Sequence, residues 1–226
     1  RHQDMTNFQE ISTADQVDLS LANTTLSPKS IMLPHSESMF EFTLDRTANQ
    51  AGILLEVETD LAPRVIFGIR PCDAKAFQLL DLNFDTPAYQ DPWWVKRRQI
   101  TTIVGLGCNA PCATCFCTSV GSGPFATEGL DLLLIDGEDE LVIQVITAKG
   151  DELLNDLGIH AEPSGETKKV VSALQESSLE SIKSIVPTDR LKQHETNALF
   201  NADFWEEVQF ACINCGTCTY LCPTCW

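Results

Sequence analysis

Ten cysteines occur among 226 residues, in two dense groups spanning positions 72–117 and 212–225. The second group reads Cys212-Ile-Asn-Cys215-Gly-Thr-Cys218-Thr-Tyr-Leu-Cys222-Pro223, with Cys225 close behind. A C-x2-C-x2-C-x3-C-P run is suited to iron–sulfur chemistry. Its first three thiolates can wrap one cubane on a tight turn, while the fourth, a helical turn further on, points away and in two-cluster ferredoxins ligates the other cluster. No second run occurs before Trp226, and the sequence starts at Arg1 without an initiator Met. The expectation is therefore a piece of a longer protein, in which further cysteines complete the C-terminal site.

The first group must be gathered by a fold. Arg64–Ile69 has the apolar composition of a buried strand, and Arg70-Pro71-Cys72-Asp73 ends it. Asp73 is expected to cap a helix over 74–80; a loop carrying Pro92-Trp93-Trp94 and a second buried strand, Ile100–Leu106, come after it. Strand, helix, strand makes a βαβ unit, whose parallel strands end at the same sheet edge. Ligands commonly bind at such an edge. Cys72 and Cys108 sit just past the two strand ends. The Gly- and Pro-rich segment after Cys108 adds Cys112, Cys115 and Cys117, and its free N–H groups, the helix N-terminus, Arg70 and Lys75 would all favour a negatively charged thiolate cluster. The competing reading makes Cys72 a buried apolar thiol and the loop cysteines zinc ligands or inert.

The rest of the chain supplies the scaffold. Residues 1–30 read as a polar arm whose packing partner lies elsewhere. Met39–Leu44 and Gly52–Val57 read as strands, and Leu130–Ile135 with Glu140–Ile146 as an antiparallel hairpin around Asp136-Gly137. An amphipathic helix is predicted from about Thr167 to Ile185, ended by Pro187; Asp203 with Glu206 suggests a capping box launching the helix that leads to Cys212. The fold class is α/β: a mixed-sheet cluster-binding domain (1–160), a helical connector (161–200), and the first half of a helical ferredoxin module (201–226).

Composition narrows the partners. A formal charge of −17 argues against nucleic acid as a partner, since a phosphate-binding surface needs a surplus of Lys and Arg. The longest apolar runs are strand-sized, well short of the roughly 20 residues that cross a bilayer, so no membrane association is expected. Clustered C-x2-C and C-x-C pairs are unlike a secreted disulfide framework and fit a reducing, cytoplasmic setting. Gly105-Leu-Gly107 opens into cysteines and not into a helix, which argues against a dinucleotide site. None of the four histidines lies near a cysteine group in sequence; His35, beside Pro34, reads as a loop residue. Trp93-Trp94 with Lys96-Arg97-Arg98 is either a partner-docking patch or core tryptophans beside a solvated basic edge.

Three strings resemble a known family: Phe67-Gly-Ile-Arg-Pro-Cys-Asp73; Gly107-Cys108 with Thr114-Cys-Phe-Cys-Thr-Ser-Val-Gly-Ser-Gly-Pro124; and Cys212 to Cys225. They are similar to the iron–sulfur beta subunit of cytoplasmic hydrogenases of the sulfhydrogenase type, and to the related A subunit of anaerobic sulfite reductase. The resemblance implies a 4Fe-4S site at Cys72, Cys108, Cys115 and Cys117, with Cys112 an extra thiol. It also implies that Cys212, Cys215 and Cys218 hold a second cluster and that Cys222 serves a third. The implied role is an electron-transfer subunit between a flavin- or NAD(P)H-linked partner and a hydrogenase- or sulfite-reductase-type catalytic subunit, with no catalytic residue of its own. A zinc-stabilised interaction module is the alternative, and the 2-2-3 spacing ending in Pro fits it less well.

Overall fold

The computed structural model describes residues 8–19, 23–47, 49–57, 62–137, 140–160, 162, 164–194, 196–200 and 203–226. In chain order the elements are α1 (Lys29–Met32), β1 (Phe40–Glu41), β2 (Leu55–Glu56), β3 (Arg64–Ile69), α2 (Pro71–Phe84), α3 (Pro92–Ile100), β4 (Thr101–Leu106), β5 (Leu132–Asp136) and β6 (Leu141–Val145). Then come α4 (Ala148–Asp156), α5 (Gly165–Ser181), α6 (Asp189–Lys192), α7 (Thr196–Phe200), α8 (Phe204–Phe210) and α9 (Thr217–Leu221).

The expected mixed sheet forms in the order β3-β4-β5-β6. β3 and β4 are parallel, β4 and β5 are parallel, and β5 and β6 make the antiparallel hairpin. Ile66, Ile69, Ile103, Leu133 and Ile135 face one layer, with Met32, Phe77, Leu80 and Trp94 from α1, α2 and α3. Val104, Leu106, Leu132 and Leu134 face the other, against Leu19, Leu153 and Leu154. Burial on both sides explains why β4 and β5 read as continuous apolar runs. Asp131 ties the layers: its buried carboxylate accepts from the Ile103 amide at 2.8 Å and the Thr147 hydroxyl at 2.6 Å, at the cap of α4.

Several expectations need correction. The helix after β3 begins at Pro71, with Arg70 in the cap position and Asp73 inside the first turn. Proline at the first helical position is preset for the helix, so Pro71 moves the start three residues earlier than Asp73 implied. The Trp93-Trp94 segment is not a loop. Asp91 caps α3 by accepting from the Trp94 amide at 2.8 Å, and Pro92 opens the helix. Its basic residues face inward or pair: Arg97 is buried against the Met32 carbonyl and the Glu37 carboxylate, and Arg98 pairs with Asp81 at 3.5 Å. Trp94 is in the core and donates to Asp81. The core reading therefore holds for Trp94, while Trp93 is only half-buried and the basic edge, expected to be solvated, is buried at Arg97 and paired at Arg98.

The two early strands shrink to residue pairs, and Phe42, Leu44 and Leu54 beside them stay exposed. The N-terminal arm does have a packing partner: Phe8 and Leu19 lie against the two cores of the sheet domain. α5 ends at Ser181, short of the expected Ile185, and Ile182 is already extended. Asp203 stands at the cap of α8 without a side-chain capping bond, so no capping box forms. Parts of the arm, Glu138-Asp139 and Pro163 lie outside the described residues.

Candidate iron–sulfur sites

At the end of β3, Gly68 takes a left-handed backbone (φ 82°) and the β3–β4 register slips between Phe67 and Ile69. Such a bulge bends the strand and re-aims the residues beyond it. Here those residues are Arg70 and then Cys72, which lies in the first turn of α2. Arg70 reaches across to the Leu106 and Gly107 carbonyls at 3.2 and 2.6 Å, so β3's end is bonded to the residues just before Cys108. Gly129 packs where a Cβ would come within 2.3 Å of the Ala74 carbonyl, holding the 127–130 turn against the same helix end.

The segment from Cys108 to Pro124 is held from three directions. Its base is closed by the Cys108 amide on the Pro124 carbonyl at 3.0 Å, and Lys75 from α2 donates to the Gly121 carbonyl at 2.7 Å. From the C-terminal side, Ser178 of α5 donates to the Asn109 carbonyl, and Thr188 to that of Ser119. Within the segment, Cys112 and Cys115 share a turn: the Cys115 amide donates to the Cys112 carbonyl at 2.9 Å, and the Cys112 amide to the Cys115 sulfur at 3.1 Å. Asn23 of the arm donates to the Cys112 sulfur at 3.0 Å. Cys117 opens a tight turn closed by Gly121 in the left-handed region (φ 67°).

These thiols influence one another. Burial first, and then the Asp73 carboxylate, push the Cys72 thiol up to about 12, with smaller contributions from Cys108 and Cys117. Cys72 nevertheless keeps one face open to solvent. Burial also raises Cys108, against the Arg70 guanidinium that lowers it, and burial raises Cys115. Without a metal, Cys72, Cys108 and Cys115 favour the neutral thiol.

The C-terminal group is built differently. Cys212 comes directly after α8, and left-handed Asn214 (φ 55°) and Gly216 (φ 71°) fold the chain sharply before α9, which carries Cys218. Cys212, Cys215 and Cys218 are exposed, Cys222 and Cys225 partly so. Hydroxyls accompany the sulfurs: Thr217 lies 3.2 Å from Cys215, and Thr224 3.3 Å from Cys222. These contacts lower the Cys215 and Cys222 thiols, whereas donating a hydrogen bond to the Cys222 sulfur raises Cys225.

Three contacts escaped sequence reasoning. The Lys29 ammonium donates to the Thr219, Cys222 and Cys225 carbonyls at 2.8, 2.7 and 3.0 Å. His35 stacks on Tyr220 at 5.2 Å, so a histidine does lie beside the motif, and Phe84 meets Trp226 edge-on at 5.7 Å. None carries a local signal, because each joins residues more than a hundred positions apart.

Among the described residues, no three Cys, His, Asp or Glu side chains stand in a metal-holding arrangement. The donor chemistry fits an iron–sulfur cluster nonetheless: all ten cysteines are free thiols, and they fall in two groups.

Fold and site define an α/β domain with a cysteine-lined sheet edge, joined to a second cysteine group between short helices. In sequence the chain is similar to "Sulfhydrogenase 2 subunit beta" of Pyrococcus furiosus, at 28% identity over 227 aligned residues covering 100% of the chain and 64% of that protein. The resemblance to hydrogenase beta subunits therefore extends along the whole chain, beyond its cysteine motifs. The chain spans about two thirds of the length of this relative. No family model matches the chain, and no solved structure does. No described helix is long and apolar enough to cross a membrane.

Proposed function

We propose that the chain is the iron–sulfur, electron-transfer part of a hydrogenase-type complex. The observation that carries this reading is that Cys72 and Cys108 follow the ends of two parallel strands at one sheet edge, where Arg70 and Lys75 hold the cysteine-bearing segment 108–124 by its carbonyls. Cys72, Cys108, Cys115 and Cys117 are the proposed ligands of a 4Fe-4S cluster at the sheet edge. Cys212, Cys215 and Cys218 are the proposed ligands of a second, with Cys222 directed to a further cluster. Such clusters would take up and release single electrons. Partners are then a flavin- or NAD(P)H-linked subunit on one side and a hydrogenase- or sulfite-reductase-type catalytic subunit on the other, in a reducing cytoplasm.

The chain's own residues supply the setting. Arg70 and Lys75 hold the loop carbonyls and bring positive charge to an edge that thiolates would make negative. The first turn of α2 adds the positive end of a helix beside Cys72. Because burial favours the protonated forms of Cys72, Cys108 and Cys115, their ligation must release protons, and assembly should improve as pH rises. Nothing in the comparison favours a zinc-stabilised module. The test is iron and acid-labile sulfide analysis, with low-temperature EPR of anaerobically prepared, dithionite-reduced protein. Stoichiometric iron and sulfide with a reduced-cluster signal are expected; zinc without sulfide would sink the proposal.

A further inference from the structure

We propose that Lys29 is a positioning residue: it seats the C-terminal cysteine segment on the α/β domain and so sets its distance from the cysteines at the sheet edge. An ammonium group has three donors, and here all three have acceptors, the carbonyls of Thr219, Cys222 and Cys225 at 2.7 to 3.0 Å. Those carbonyls lie at the end of α9 and in the turn beyond it, where helical carbonyls lack intrahelical donors. α9 has only five residues, too few to stand alone in water, so its order depends on what it docks against.

The other end of the same short segment is anchored beside Cys72. Pro28 is fully buried, and the Ser27 hydroxyl donates to the Asp73 carboxylate at 3.1 Å, one residue from Cys72. Ser27, Pro28 and Lys29 are thus three consecutive residues that bond at one end to Asp73, the neighbour of Cys72, and at the other to carbonyls of the C-terminal cysteine segment. The His35–Tyr220 stack and the Phe84–Trp226 edge contact flank the seat. They are ring contacts and confine the segment less than three directed hydrogen bonds from one charged donor. A planar guanidinium could not meet three converging carbonyls in the same way, so arginine should substitute only in part. The docking stands on geometry alone; its meaning for electron relay rests on the proposed function.

Amide hydrogen exchange on the full chain, read by mass spectrometry, tests the docking without any cluster. In Lys29→Met, exchange across 216–226 should quicken about tenfold, the order expected when bonds to a charged donor are lost. Lys29→Arg should restore part of the protection, and peptides over 100–125 should not change. Unchanged exchange at 216–226 would overturn the proposal, and so would an equal increase in both regions, which would make Lys29 a general support of the fold. Should the Met variant not fold, acylation of the unaltered chain decides: Lys29 should react more slowly than exposed Lys168 and Lys183, and equal rates overturn the docking. In chains loaded with iron and sulfide, Lys29→Met should also weaken the magnetic interaction between the two cluster signals; an unchanged interaction overturns the distance-setting role. If the parent chain binds no iron, the electron-transfer reading fails and the exchange result still decides the docking.

Discussion

The two cysteine groups are made by opposite strategies. At the sheet edge, thiols from distant segments are brought together by strand order, a bulge at Gly68, and two cations, Arg70 and Lys75, that hold loop carbonyls. In the C-terminal group the spacing is local: two left-handed residues and a single-turn helix arrange thiols that remain largely exposed, and attachment comes from Lys29 and two ring contacts. The first site is a property of the fold and should be lost with it. The second is a short segment that can loosen while the domain stays folded, which is the behaviour expected of weakly packed, exposed regions.

The largest break in this comparison should come from Gly129→Ala. The position combines a left-handed φ of 81° with a Cβ 2.3 Å from the Ala74 carbonyl, so the substitution strains the turn and pushes on the first turns of α2. A loss of about 2–3 kcal/mol in urea unfolding is expected, with loss of the sheet-edge EPR signal before the C-terminal one. Arg70→Met comes next. Without the guanidinium, the Leu106 and Gly107 carbonyls lose a charged donor, and about 2 kcal/mol of stability should go with it, again measured in urea.

A third prediction sets the groups side by side in one tube. In metal-free protein at pH 8, Cys215 and Cys222, lowered by Thr217 and Thr224, should alkylate faster than Cys72, Cys108 and Cys115, which burial raises. Mass-spectrometric labelling gives the order directly. The same groups set the sign for stability. A thiol raised from 9.0 to about 12 in the folded state favours folding below its unfolded pKa, so the Cys72 contribution is fully present below pH 9 and fades toward pH 12. Chemical denaturation across that range should show it. The smallest effect belongs to Trp226→Ala, which removes one edge contact with Phe84; a cost of about 0.5–1.5 kcal/mol is expected, confined to exchange near the C-terminus.

Much of the sheet was legible in the residues themselves. Arg64–Ile69 coincides with β3, and the hairpin and the parallel pair appear where apolar runs and the Asp-Gly turn pointed. α3 was missed although Asp91-Pro92 carries a cap and a first-turn proline, because the tryptophans and basic residues next to them dominate the pattern. The exposed pair β1–β2 shows the reverse error: alternation promised longer strands, but the apolar residues flanking the pair stay exposed.

The cysteines obeyed the same division. Spacing alone led to the expectation of cluster chemistry in the C-terminal run, since ligand geometry within a turn is a local matter. Strand order, itself readable, pointed to the convergence of Cys72 and Cys108. Only the tertiary structure showed Arg70 on the Gly107 carbonyl, Asn23 on the Cys112 sulfur, and Lys29 on Thr219, a contact spanning 190 positions. The reason is physical. A turn or strand is specified by neighbouring residues, whereas the partner of a long, charged side chain is specified by whatever carbonyls the finished fold leaves without donors.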